Sequence, residues 1–214
     1  MYALAFILSS VVLFFSYTHT QNYLRHHNIA FSRLTENRQF YVVKNITKGI
    51  YLAFLVVFGF FFVILPIINN EYNNATIRIF ASLYVSNDFI GLYRVGNLPT
   101  STRLHHSASV IFLLAAWTID FQTSVVGQML LLYTYFSAIA FPVNLYLGLR
   151  LCYDVPWLRT VAKYVYSISC AVNWYIQYAW FTMDRSVIVY LTLLSVIVFD
   201  DVVLLRWLYK WNNV

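Results

Sequence analysis

Residues 76–95 read TIRIFASLYVSNDFIGLYRV. The stretch is apolar but carries one carboxylate, Asp88, and an arginine, Arg94, six residues further on. The interval recurs on two other long apolar runs, where Asn144 precedes Arg150 and Asp200 precedes Arg206 by the same six residues. At a helical rise of about 1.5 Å per residue, each polar group sits roughly 9 Å inside the arginine end of its segment. His105-His106 opens another apolar stretch just after Arg103, so these groups share one depth if the segments lie side by side. Inside a bilayer an ionisable group costs from about 2.5 kcal/mol upward and marks a functional site by default. That layer is where function is expected.

Composition identifies the solvent. The chain is 61% hydrophobic and 20% aromatic, with 10% charged residues, against roughly 25% charged in soluble domains. An all-α, polytopic transmembrane bundle follows, because apolar runs of about 18 residues or more cross a hydrocarbon core of about 30 Å. Seven segments are read as spans: Tyr2 to Thr18, Ile50 to Ile68, Thr76 to Val95, Ser107 to Ile119, Ser124 to Leu149, Val161 to Met183 and Val187 to Leu208. The fourth has a short apolar core and spans only with the histidine pair as its first turn.

If all seven segments cross, 12 of the 14 Lys and Arg fall on one side, leaving Arg78 and Arg185 opposite. Loops rich in Lys and Arg are cytoplasmic, which puts the N-terminus on the lumenal or external side and the C-terminus in the cytosol. The formal charge of +6 then reflects topology and anionic headgroups, with no nucleic-acid partner. The first segment lacks a basic n-region and a small-residue cleavage site, so it is expected to be a retained span.

Residues from about Thr20 to Gly49 form the one extended polar region, and the part from Asn37 to Lys48 is expected to lie on the membrane surface with its cations snorkelling to water. Pro142 is expected to kink the fifth span near Asn144, and Pro66 lies near the lumenal end of the second. Neither sequon, Asn45-Ile46-Thr47 or Asn74-Ala75-Thr76, is expected to be used. Cys152 and Cys170 offer neither a disulfide nor thiol chemistry, and His26-His27 lacks the further ligands a metal needs. No repeat and no linker divides the chain, so residues 1–214 are read as a single domain.

Several of these positions carry a resemblance. Asn37-Arg38 before the second span, Tyr84 and Asp88 in the third, His105-His106 at the start of the fourth and YFSAIAFPVN over residues 135–144 in the fifth resemble the TLC-domain family. That family includes the ceramide synthases and several smaller proteins of lipid homeostasis. The resemblance runs from about Arg33 to Arg206. It implies a helical bundle around a lipid-accessible cavity in the endoplasmic reticulum or a related endomembrane. It also implies membrane lipids as partners, with a homodimer left open. In ceramide synthases the adjacent histidines are associated with acyl transfer from acyl-CoA. Those enzymes continue after the asparagine with a histidine-aspartate step and a second acidic cluster. Here the matching stretch is Arg150-Leu151-Cys152-Tyr153-Asp154-Val155-Pro156, so the chain looks more like the smaller members.

Carried onto this sequence, the resemblance makes His105 and His106 the catalytic candidates, and the chemistry of a histidine adds Asp88 as a carboxylate that would orient them, a role open to Asp200 as well. Asn144, Asp200, Asp201, Tyr84 and Ser137 are the substrate-binding candidates. The expected activity is transfer of a fatty-acyl group from acyl-CoA, a co-substrate and not a bound cofactor, to a long-chain lipid acceptor. No metal is expected. Chemically, a histidine takes a proton from an amine or hydroxyl while a carboxylate fixes its tautomer. A non-enzymatic lipid-binding protein or regulator of membrane composition with the same fold is the main alternative. A transporter or channel is a more remote one. Asp88 paired with Arg94 or with a cation of another helix is the structural reading of that residue, and interhelical hydrogen bonding is that of Asn144.

Overall fold

The computed structural model describes residues 1–210. Helix makes up 83% of the chain and no strand forms among the described residues, as expected where water is absent and every backbone amide must find its partner within its own segment. The helices are α1 (Tyr2–His27), α2 (Ile29–Ser32), α3 (Glu36–Gly59), α4 (Leu65–Ile68), α5 (Asn74–Arg94), α6 (Thr100–Ala116), α7 (Val125–Ile139), α8 (Phe141–Leu149), α9 (Pro156–Ala179) and α10 (Arg185–Lys210). A π-helical turn, Phe60–Ile64, joins α3 to α4.

Local chemistry sets the ends. Asn28, Asn73 and Ser124 cap α2, α5 and α7, their side-chain oxygens accepting from the backbone N–H of Phe31, Thr76 and Gly127. Such caps satisfy donors that a helix start leaves open. Pro66, Pro142 and Pro156 sit in the first turns of α4, α8 and α9, where the missing N–H costs nothing. The break between α7 and α8 at Ala140 is the kink expected from Pro142. Asn70 takes φ 60° in the turn before α5, a left-handed conformation that asparagine tolerates.

Four stretches are long and apolar enough to cross a membrane: Tyr2–His27, Glu36–Ile68, Val125–Leu149 and Arg185–Lys210. Their outer faces are apolar. Leu4, Ile7, Phe15, Phe54, Phe61 and Phe199 are all more than half exposed, whereas Ser82, Ser86, Asn87, Asp88, Ser169 and Asn173 are buried. A bundle with its polar groups inside and its hydrocarbon outside suits a lipid solvent. α5 and α9 carry those inward polar groups, which lowers their mean hydropathy relative to the other long helices.

α1 packs on α5, α3 on α8, α5 on α6, α9 on both α7 and α8, and α10 on α6. One core cluster runs through Leu52, Phe80, Phe112, Met129 and Tyr190. A second joins Leu13, Tyr17, Phe31 and Val42, and a third joins Val143, Tyr146, Ala162 and Leu208. At one end of the bundle Asn28 donates to the carbonyl of Cys152 at 3.4 Å. At the other, Asn74 donates to Asp120 at 2.8 Å and Arg78 to the carbonyl of Ile119 at 2.9 Å. Hydrogen bonds from Asn74, Thr123 and the Gln122 amide hold the Asp120 carboxyl below its ordinary range.

The polar region of residues 20–49 departs from its expected form. α1 continues to His27 and α3 begins at Glu36, so Asn37 to Lys48 belong to the same continuous helix as the apolar run that follows them, with Val42 to Thr47 buried in the bundle. Gln39 makes this tolerable: it accepts from Arg25 at 2.9 Å and donates to the carbonyls of Phe31 and Leu34. Lys44 is 7% exposed and does not snorkel.

Candidate functional site

Where α3, α5, α6, α8, α9 and α10 converge, they enclose a cavity of about 300 Å³. α3 contributes a stripe at helical spacing, Tyr41, Lys44, Asn45, Lys48 and Leu52, which lies on one face because residues three and four apart are neighbours on a helix. α6 brings His105 and His106, α5 brings Tyr84, and α8 brings Asn144 just past the break. Ser137 of α7 and Asp200 and Asp201 of α10 complete the set.

Of the residues expected from sequence, His105, His106, Asn144, Asp200, Asp201, Tyr84 and Ser137 all line this cavity. Asp88 does not. It lies behind the wall, 1% exposed, where Oδ1 accepts from Lys48 Nζ at 2.6 Å and faces His106 Nδ1 at 2.8 Å. The histidine contact is close but not aligned as a hydrogen bond, and Asp88 Oδ2 has no partner. Arg94 is not the counterion: it donates to Thr18 Oγ1 at 3.2 Å and lies over the Phe14 ring. Asp88 therefore sits behind the cavity wall between Lys48 and His106.

The second histidine has its own carboxylate. His105 Nδ1 lies 3.4 Å from Asp200 Oδ2, and Thr102 Oγ1 donates to Asp200 Oδ1 at 3.5 Å. Each histidine thus turns Nδ1 toward an acid from a different helix, α5 for His106 and α10 for His105. His106 Nε2 is buried without a hydrogen-bond partner. Asp200 and Asp201 diverge as adjacent helical residues must, yet both remain inside the bundle. Asp201 accepts from the Tyr133 hydroxyl at 2.5 Å and the Tyr166 hydroxyl at 2.7 Å. Below them Asn173 Nδ2 donates to the Tyr133 carbonyl at 3.3 Å and to Ser137 Oγ at 3.4 Å.

Five residues of this site were not singled out from sequence: Lys44, Lys48, Tyr133, Tyr166 and Asn173. From sequence alone the two lysines read as cytosolic topology determinants. Their four-residue spacing, interleaved with Tyr41 and Asn45, becomes a signal only once residues 41–48 are read as helix. The tyrosines gave no signal, being two among 18.

Other features take no assigned role. Asn45 of the first sequon is buried on the cavity wall and donates to the Tyr41 carbonyl, and Asn74 of the second is tied to Asp120, away from the cavity. His27 stacks on Tyr23 with ring centroids 4.4 Å apart. Both cysteines are free, and burial pushes the Cys152 thiol above its ordinary value. Among the described residues no group of three His, Cys, Asp or Glu side chains is placed to hold a metal ion. Compared with known proteins, the chain matches no protein family, no curated protein and no solved structure.

Proposed function

We propose that this is a multi-pass membrane protein of lipid metabolism, of the TLC type, whose cavity binds a long-chain lipid and carries out acyl transfer to it. The observation that carries the reading is the pairing of each cavity histidine with a carboxylate through Nδ1. A carboxylate beside Nδ1 favours the tautomer that carries its proton there and leaves the Nε2 lone pair for the reactants. The contacts are not aligned as hydrogen bonds before substrate binds, and such bonds tighten when it does. In the reaction, Nε2 takes the proton from an acceptor hydroxyl or amine as the acceptor attacks the thioester carbonyl of acyl-CoA. The carbon–sulfur bond then breaks, and the imidazolium returns the proton to the departing thiolate. Asp88 and Asp200 stabilise the transient imidazolium without reacting.

In this reading α5, α6 and α9 cross the bilayer beside the four longer apolar stretches, giving seven crossings. The histidine layer lies near the cytosolic face, where the excess of Lys and Arg is, and the N-terminus lies in the lumen of an endomembrane. A water-soluble thioester then meets a membrane-dissolved acceptor without either leaving its solvent. The resemblance in residues 33–206 supports this arrangement.

Lipid profiling of cells expressing the intact chain and the His105→Ala/His106→Ala variant tests it. The expected result is an acylated lipid that accumulates with the intact chain and is absent with the variant. A variant that reaches the membrane in equal amount and leaves every lipid unchanged from the intact chain removes the catalytic role and leaves a lipid-binding protein.

A further inference from the structure

We propose that the cavity takes an amphiphile with an anionic headgroup, a phosphate ester on a hydrocarbon chain, and that Lys44 and Arg150 hold that headgroup. The argument begins with the charges that are already matched. Both carboxylates on the cavity wall are engaged, Asp200 by Thr102 and His105 and Asp201 by Tyr133 and Tyr166. Lys48 is matched by Asp88 at 2.6 Å. The remaining cations on the wall are Lys44 and Arg150.

Lys44 is 7% exposed and lines the cavity. Among the described residues it makes no hydrogen bond or ion pair. Asp88 and Asp200 attract it from a distance but are engaged by Lys48 and by Thr102 and His105. A buried ammonium without an ion-pair partner of its own is costly, so a ligand that brings negative charge reduces that penalty. Arg150 lines the same cavity and is held by its neighbours. Its guanidinium lies 4.6 Å from the centre of the Trp207 ring, the Tyr41 hydroxyl is next to it, and its buried Nε lacks a partner. A stacked guanidinium presents its edge, which matches the oxygens of a phosphate.

The rest of the wall suits a hydrocarbon chain. Leu52, Val143, Leu147 and Leu204 line it. Val203 of α10 both lines the cavity and is 41% exposed, so at this point the wall between cavity and outer face is one side chain thick. An amine headgroup finds no free carboxylate on this wall and adds positive charge beside two unmatched cations. The inference rests on the cavity being an amphiphile site, and it does not require the histidines to react.

The full chain in phosphatidylcholine nanodiscs, titrated with four probes, tests the assignment. The probes are a lysophosphatidic acid, a monoacylglycerol of the same chain, an alkylamine of similar length and inorganic phosphate. Binding of the lysophosphatidic acid is expected to be at least about tenfold tighter than that of the monoacylglycerol or the amine, with inorganic phosphate a weak competitor because it lacks the chain. Lys44→Gln and Arg150→Gln should each abolish the preference while monoacylglycerol binding persists, and Lys44→Arg should retain it. Equal binding of the neutral or amine probe overturns the proposal, as do folded glutamine variants that keep the preference. Phosphate competing as strongly as the lipid also overturns it, by assigning the pole to a free anion. The ranking on the unaltered chain decides even where a variant does not fold. A phosphate preference without any acylated product upholds this inference and sinks the enzymatic reading; product without the preference does the reverse.

Discussion

Asp88 holds two partners on a single oxygen, Lys48 Nζ at 2.6 Å and His106 Nδ1 at 2.8 Å, in a place that is 1% exposed. A carboxylate taken out of water this completely depends on its counter-charge, since breaking one side of a buried pair costs about 3–5 kcal/mol. Lys48→Met is therefore expected to lower stability by about 3 kcal/mol, read from denaturant unfolding of the purified chain in detergent. Lys48→Met with Asp88→Asn removes both charges and should lose less than Lys48→Met alone. Losses that simply add would show that the two side chains are energetically independent, and the geometry around His106 would then need another cause. The experiment also separates the two roles of Asp88, because the paired change restores charge balance but leaves His106 without a carboxylate. Stability is then expected to recover in part while acyl transfer stays low.

The interlocking of α3 with α8 determines whether the cavity holds its shape, because α3 supplies Lys44 and Lys48 and α8 supplies Asn144. Two glycines let the backbones approach. A Cβ on Gly148 would lie 2.7 Å from Ile46 Cγ1 and 3.0 Å from both the Ile46 nitrogen and the Val42 carbonyl oxygen. One on Gly49 would lie 2.6 Å from Leu145 Cδ2 and 3.0 Å from the Leu145 nitrogen. Backbone atoms cannot step aside as a side-chain tip can, so Gly148→Ala is expected to cost about 1–3 kcal/mol and to weaken lipid binding by spreading the two helices. Gly96→Ala, with nothing within 4 Å, serves as the control and should shift unfolding by no more than about 0.5 kcal/mol. At this scale the sequence is uneven to read. Each of the seven apolar runs is helical over most of its length, the fourth and sixth continuing a few residues past the ends of α6 and α9, and Pro142 marks the α7 to α8 break, because length, hydropathy and a missing N–H are local properties. Residues 20–49 resist the same reading, since their polar groups are satisfied by distant partners, as Gln39 is by Arg25, Phe31 and Leu34. The recurring six-residue interval brought out Asn144 and Asp200, whereas Tyr133 and Tyr166 became site residues only through Asp201, which reaches them from α10.

Across the whole molecule, two sets of connections define two ends. Asn28 reaches Cys152 at one end, and Asn74 and Arg78 reach Asp120 and Ile119 at the other. Helices that alternate between these ends put Thr35 and Asp154 together and Asn70 and Met183 opposite, each in a connection between helices and exposed. The cations follow the same division, with Arg25, Arg33, Arg150 and Arg159 near the Asn28 and Cys152 end and Arg185 beside the other. With the positive end assigned to the cytosol as proposed, the seven crossings make a definite statement about each connection. In a Cys152→Ser/Cys170→Ala background, Thr35→Cys and Asp154→Cys are expected to react with a membrane-impermeant maleimide only from the cytosolic side of sealed microsomes. Asn70→Cys and Met183→Cys should react only after the membrane is opened. Labelling of Asn70→Cys and Thr35→Cys from one side would mean that the Glu36–Ile68 stretch does not cross, and would separate the histidine layer from the cytosolic thioester that the proposed reaction requires. Labelling of Met183→Cys and Asp154→Cys from one side would remove α9 alone, shifting α10 to the opposite orientation and taking Asp200 away from the leaflet assigned to His105. The 3.4 Å contact between His105 and Asp200 ties α6 and α10 to a common depth, so the two helices must cross together for the cavity to survive in the membrane.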